Sequence, residues 1–153
     1  MGINALAMVA AALTAGLPAQ PVTPPPAPRP VCAANPARPP DDPFLIFFDR
    51  DSAAITPEAA LILANVAEAY RVLSLCELLV AAHTDRAGSD AHNLALSQRR
   101  GHAVVAYLRR LGVDAAAPEI EAFGETRPLV ETPDGVAEPQ NRRAEIIVTS
   151  PRD

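Results

Sequence analysis

The sequence predicts a mixed α/β (α+β) sandwich, ordered β-α-β-α-β-β, with its helices packed on one face of the sheet. Three observations carry this. Short apolar runs bounded by turn formers occur at residues 44–48, 76–82, 119–123 and 144–149. Two stretches with apolar residues at helical spacing separate the first three runs. Strands joined through helices favour parallel or mixed pairing with right-handed crossovers, because a crossing helix must pack back onto the sheet it left.

The first strand, residues 44–48, is continuous and aromatic (Phe44, Phe47 and Phe48 around Leu45 and Ile46), the mark of a strand buried on both faces. Thr56, Pro57 and Glu58 then read as an N-cap, a proline at the first helical position and an acid in the first turn. The helix they open spans 57–73 and turns Leu63, Val66, Ala67, Tyr70 and Leu73 to one side. The second strand follows at 76–82. A loop at 83–89 leads to a helix over 90–111, opened by Ser89 and Asp90 and closed by Gly112 in the C-cap position. Its expected inward face is Leu94, Ser97, Gly101, Val104, Leu108 and Leu111. A mid-helix glycine costs about 1 kcal/mol relative to alanine, so Gly101 implies a close approach to the sheet. A third strand at 119–123, a long loop at 124–141 rich in Gly and Pro, and a last strand at 144–149 complete the domain.

The chain has 153 residues, 49% hydrophobic and 20% charged, which are globular proportions. Its 17 prolines are not, and eleven of them fall within residues 18–43. That segment cannot form helix or central strand, since each proline lacks a donor and pushes its predecessor into extended geometry. Residues 1–17 contain no charged side chain and resemble the apolar core of a secretory signal. The expected organisation is a signal peptide at 1–19, a Pro-rich spacer at 20–43 and one folded domain at 44–150. A retained membrane anchor is the alternative for the apolar start. Cys32 and Cys76 are an even count for an exported chain. Either they pair, closing a loop worth about 3–4 kcal/mol in the chain-entropy picture, or Cys76 is a small buried strand residue and Cys32 a free thiol.

Charge excludes one class of partner. The net charge is −5, and from Phe44 onward 11 Arg face 16 Asp and Glu with no basic run. Nucleic-acid binding needs clustered cations, so none is expected. His83, His92 and His102 show no metal-ligand spacing, and no metal or other cofactor is expected. No nucleophile stands beside a base, which argues against an enzyme.

Several segments together carry a resemblance: FFDRDS followed by TPEA, then HTDRAGS, the N-x-x-LS-x-x-R run from Asn93 to Arg100, FGETRP and NRR. Over residues 44–148 the chain resembles the OmpA-like C-terminal domain, a family of periplasmic domains that hold peptidoglycan non-covalently. The resemblance implies a periplasmic, cell-wall or outer-membrane associated protein whose partner is the diaminopimelate of the stem peptide. It also implies a site, with Asp85 and Arg100 holding the zwitterionic end, Asn93 and Arg142 at matching positions, and Asp51 beside the pocket. An envelope-assembly or stator-type subunit with a retained anchor is the alternative use of the same domain. Three neighbours depart from the family pattern: Ala82 where glycine is usual, Gly101 for alanine and Ala144 for valine.

The residue chemistry agrees. A ligand with an ammonium and a carboxylate on one carbon needs a carboxylate and a planar two-donor cation, and only arginine supplies that fork. The heads of Asp85 and Arg100 are expected near the surface. Of Arg142 and Arg143, alternation along a strand turns one to solvent. His83 is expected to be a hydrogen-bonded structural residue.

Overall fold

A computed structural model of the protein describes residues 43–73, 75 and 77–149. Its elements are β1 (Phe44–Phe47), α1 (Pro57–Val72), β2 (Glu77–His83), α2 (Asp90–Arg110), β3 (Glu119–Gly124) and β4 (Arg143–Thr149), with a single 3₁₀ turn at Pro139–Asn141. The expected signal segment, the spacer up to residue 42, Cys32 and Cys76 lie outside the described residues. Among the described residues, no helix is long and apolar enough to cross a membrane.

The four strands form one mixed sheet in the order β1-β4-β2-β3. The last strand is therefore central, antiparallel to both β1 and β2, while β2 and β3 pair in parallel through the α2 crossover. Alternation sends Ile46, Val80, Ala82, Ala144 and Ile146 to the helix-bearing face, where they meet Leu63, Val66, Val104 and Leu108. Each fully buried aliphatic side chain there contributes about 1.5–3 kcal/mol, which makes this single core the source of the fold's stability.

Local chemistry accounts for the helix ends. Thr56 Oγ1 accepts from the Ala59 amide at 3.1 Å, and Ser89 Oγ from the His92 amide at 3.3 Å. Both satisfy first-turn donors that the helix cannot pair internally. Gly112 follows α2 at φ +88, a conformation that side chains rarely adopt. Gly101 meets the expectation of close packing: a Cβ there would lie 2.4 Å from Ile120 Cγ2.

Two packing expectations are corrected. β1 is an edge strand with helices on one side only, so Phe47 on the other side is 44% exposed and the strand is not buried on both faces. Leu94 is 45% exposed and not part of the inward face of α2. The buried stripe of that helix begins instead with Asn93, Leu96 and Ser97, because the Gly124 corner lies directly on the Asn93–Leu94 backbone and leaves no room for the Leu94 side chain.

Candidate functional site

The candidate site is a cleft of about 190 Å³ where the C-terminal ends of β1 and β2 meet the first turns of α2. Arg50 and Asp51 come from the β1–α1 loop, Asp85, Ala87 and Gly88 from the β2–α2 loop, and His92, Asn93, Leu96 and Arg100 from α2. The last group follows helical spacing, since residues 92, 96 and 100 are four apart and share one face.

Asp85 leaves the end of β2 just after Thr84, whose amide donates to the Gly124 carbonyl at 2.8 Å. Asp85 is 5% exposed, and its carboxylate accepts twice, from the Ala87 amide at 3.3 Å and from Arg142 Nη1 at 3.2 Å. Arg142 itself is tied to the end of β1 through Nε and the Phe48 carbonyl at 3.1 Å. A buried carboxylate is tolerable only with such partners.

Arg100 is fully buried. Its Nε donates to Ser52 O at 2.8 Å, Nη1 to His83 O at 2.8 Å and Nη2 to Asp49 O at 3.1 Å, and the guanidinium lies 4.9 Å from the centre of the Phe48 ring. Three of the five guanidinium N–H groups are thus committed to backbone carbonyls. Burial lowers its pKa to about 10, against the opposing pull of the Asp85 carboxylate, so it remains a cation at neutral pH. Asp85 and Arg100 were expected to hold their heads near the surface, and both are buried instead. Arg100 finds two of its three carbonyl partners in the β1–α1 loop and the third at the end of β2, and Asp85 is held inward by Arg142 and the Ala87 amide.

Asn93 is also buried, with its Nδ2 donating to Glu125 Oε2 at 2.5 Å. Ser97 secures the same corner: its hydroxyl accepts from the Gly124 amide at 3.0 Å and donates to Leu94 O at 2.8 Å. Gly124 is required there twice over, by φ +53 and by the helix backbone 3.1 Å from where a Cβ would sit. Asp51 stands exposed at the rim at φ +51, and its carboxylate meets His92 Nε2 at 2.6 Å.

Two further expectations are corrected. Arg142 is half-buried and Arg143 is buried, its Nη2 and Nε gripping Glu145 at 2.7 and 2.9 Å on the sheet face away from the helices. Neither arginine is turned to solvent. The His83 ring is buried and stacked on Phe123, with centroids 5.2 Å apart, but neither ring nitrogen has a protein hydrogen-bond partner. Burial, reinforced by Arg143, lowers its pKa to about 4, so the imidazole is neutral. Its structural role passes through its backbone carbonyl, which Arg100 holds.

Residues 47–142 match the family model described as the OmpA family. The chain belongs to the OmpA family. It is 39% identical over 111 residues to an outer membrane protein of Gluconacetobacter diazotrophicus, covering 69% of this chain and 29% of the relative. It is 37% identical over 99 residues to the peptidoglycan-associated lipoprotein of Haemophilus influenzae, covering 65% of each. Among solved structures, the peptidoglycan-associated lipoprotein from Burkholderia pseudomallei superposes with a TM-score of 0.61 at 30% identity, over 69% of this chain and 89% of that one. The chain spans 29% and 55% of the length of the first two curated relatives, the second being an outer membrane protein A of Bordetella avium.

All five expected residues of this OmpA-family chain lie at the cleft or on its supports: Asp51, Asp85, Asn93 and Arg100 line it, and Arg142 backs Asp85. Sequence reasoning gave no role to His92 or Glu125. The four-residue spacing of His92, Leu96 and Arg100 was the available signal for the first. Glu125 sat inside FGETRP but had no sequence-visible link to Asn93, 32 positions away.

Proposed function

We propose that this domain binds peptidoglycan non-covalently through the diaminopimelate of the stem peptide, at the cleft built on Asp85 and Arg100. Asn93, Arg142 and Asp51 complete the site. The carrying observation is the convergence of a buried carboxylate and a buried arginine on one small hollow. A zwitterion presents an ammonium and a carboxylate together, and a water-poor cleft strengthens contacts to both. The two Arg100 N–H groups not given to backbone carbonyls are the donors for the ligand carboxylate, and Asp85 faces its ammonium. The amide-rich β2–α2 loop at the start of α2 adds positive field for the same carboxylate.

The relatives support the coarse reading, since two of those described above are named peptidoglycan-associated lipoproteins. They also support a place in the periplasm, against the wall or the outer membrane. The role is attachment, with no bond made or broken.

The test is a pull-down on purified sacculi with wild type and Asp85→Asn. The substitution keeps the shape and removes the charge, so binding should fall about tenfold or more while the protein stays folded by circular dichroism. A folded Asp85→Asn protein that binds sacculi like wild type would remove Asp85 from the site.

A further inference from the structure

A second hollow lies beside the cleft and shares none of its lining residues. It measures about 450 Å³ and opens where the end of β1 meets the start of α1 and the 3₁₀ turn before β4. Phe47 and Phe48 form its apolar part, and Asp49, Glu58 and Gln140 stand around them. Phe47 is the exposed ring, at the sheet edge, whereas Phe48 is buried. Among the described residues, none hydrogen-bonds to the side chains of Asp49, Glu58 or Gln140. Arg142, in contrast, is committed: its Nη1 donates to Asp85 of the cleft at 3.2 Å and its Nε to Phe48 O at 3.1 Å. Since Arg142 also lines the second hollow, its side chain is the wall between the two.

Resting on the peptidoglycan reading above, we propose that this hollow is a sugar subsite, which takes the N-acetylated sugar that bears the stem peptide while the peptide sits in the cleft. Small-ligand sites combine apolar and aromatic walls with a few polar groups that fix orientation, and a pyranose ring needs both. Its C–H face packs on an aromatic ring, here Phe47, while its hydroxyls donate to carboxylates and its acetamido group pairs with the Gln140 amide. Charge decides between the two parts of peptidoglycan. The stem peptide is rich in carboxylates, which Asp49 and Glu58 repel, and Arg142 is already matched by Asp85. The sugar is uncharged, because its lactyl carboxyl is consumed in the amide bond to the peptide. Reach agrees as well. Two residues separate diaminopimelate from the sugar, at most about 7 Å of extended chain, and the wall between the hollows is one arginine side chain.

Calorimetric titration of the full chain tests this with two synthetic ligands, the stem tetrapeptide alone and the same tetrapeptide on its N-acetylated disaccharide. Wild type should bind the glycosylated ligand about tenfold more tightly. Phe47→Ala and Glu58→Gln, both at exposed positions, should each cut that advantage about three- to fivefold and leave the affinity for the bare peptide unchanged. Circular dichroism checks the fold, and Glu58→Gln, which keeps the side-chain shape, decides the matter should Phe47→Ala unfold the protein. Folded variants that keep the wild-type advantage, or that weaken both ligands equally, overturn the inference. Equal wild-type affinity for the two ligands overturns it too, while leaving the stem-peptide site intact. A wild type that binds neither ligand overturns the peptidoglycan reading and this inference with it.

Discussion

Arg100→Lys tests the scaffold task that the structure gives this residue. The guanidinium joins three chain segments through bonds of 2.8, 2.8 and 3.1 Å to the carbonyls of Ser52, His83 and Asp49. An ammonium keeps the charge but is a single point, and it cannot reach three carbonyls spread around a planar fork. Hydrogen bonds from a charged group contribute about 1.5–3 kcal/mol each, so losing one or two of the three costs roughly 2–5 kcal/mol. No discount for solvent applies, because Arg100 is 0% exposed. For a domain of this size that is a fall in Tm of about 10–25 °C, and a large share of the 5–15 kcal/mol typical of total stability. Urea unfolding followed by circular dichroism measures it, and hydrogen exchange should show faster opening of the amides at residues 49–52. If Arg100→Lys unfolded within about 0.5 kcal/mol of wild type and left that exchange unchanged, the scaffold role would be refuted, since such small values are typical of surface substitutions.

His83 predicts an acid-dependent loss of stability. Its pKa is lowered from 6.5 to about 4 by burial, so the stability tied to its neutral form is complete above pH 6.5 and declines as pH falls through about 4. The total is on the order of 3 kcal/mol, and His83→Phe should remove that slope in urea midpoints measured from pH 7.5 to 4. Gly101→Ala sets a helix-propensity gain of about 1 kcal/mol against overpacking worth about 1–3 kcal/mol, because its Cβ would sit 2.4 Å from Ile120 Cγ2. The substitution should destabilise in the wild-type background and be better tolerated with Ile120→Ala, a coupling that a double-mutant cycle reads; stabilisation by the full propensity gain would show that the contact is slack.

The elements were legible because their signals are local. Thr56-Pro57-Glu58, Ser89-Asp90 and Gly112 sit next to the boundaries they set, and the apolar stripes of α1 repeat at the helical period. Strand order was not local. Nothing in residues 143–149 announces that the last strand inserts between the first and second, yet that insertion places Arg142 between the ends of β1 and β2 and so beneath Asp85. Phe47 was misjudged for the same reason: an apolar run cannot show that one side of its strand has no covering layer. Leu94 fits the helical period as well as Asn93 does, and only the corner at Gly124, which packs onto that turn from 30 positions away, decides which of them is buried.

Site residues were easier to name than to understand. A carboxylate and an arginine fifteen positions apart suggested a pair facing a ligand, and the structure brings both to one hollow. It also gives each a prior commitment: Asp85 to Arg142, and Arg100 to three carbonyls. Carbonyl partners leave no trace in a sequence, because every residue has one. For that reason Arg100 reads as a binding residue from its motif and as a structural one from its hydrogen bonds. The two descriptions are compatible on physical grounds. A cation that holds the Asp49–Ser52 loop fixes its own remaining donors in space, so the ordering entropy of the guanidinium is met on folding and not on binding. A defect in the loop would then weaken binding without touching the ligand, and the mouth residues Asp51 and His92 are the ones placed to show it.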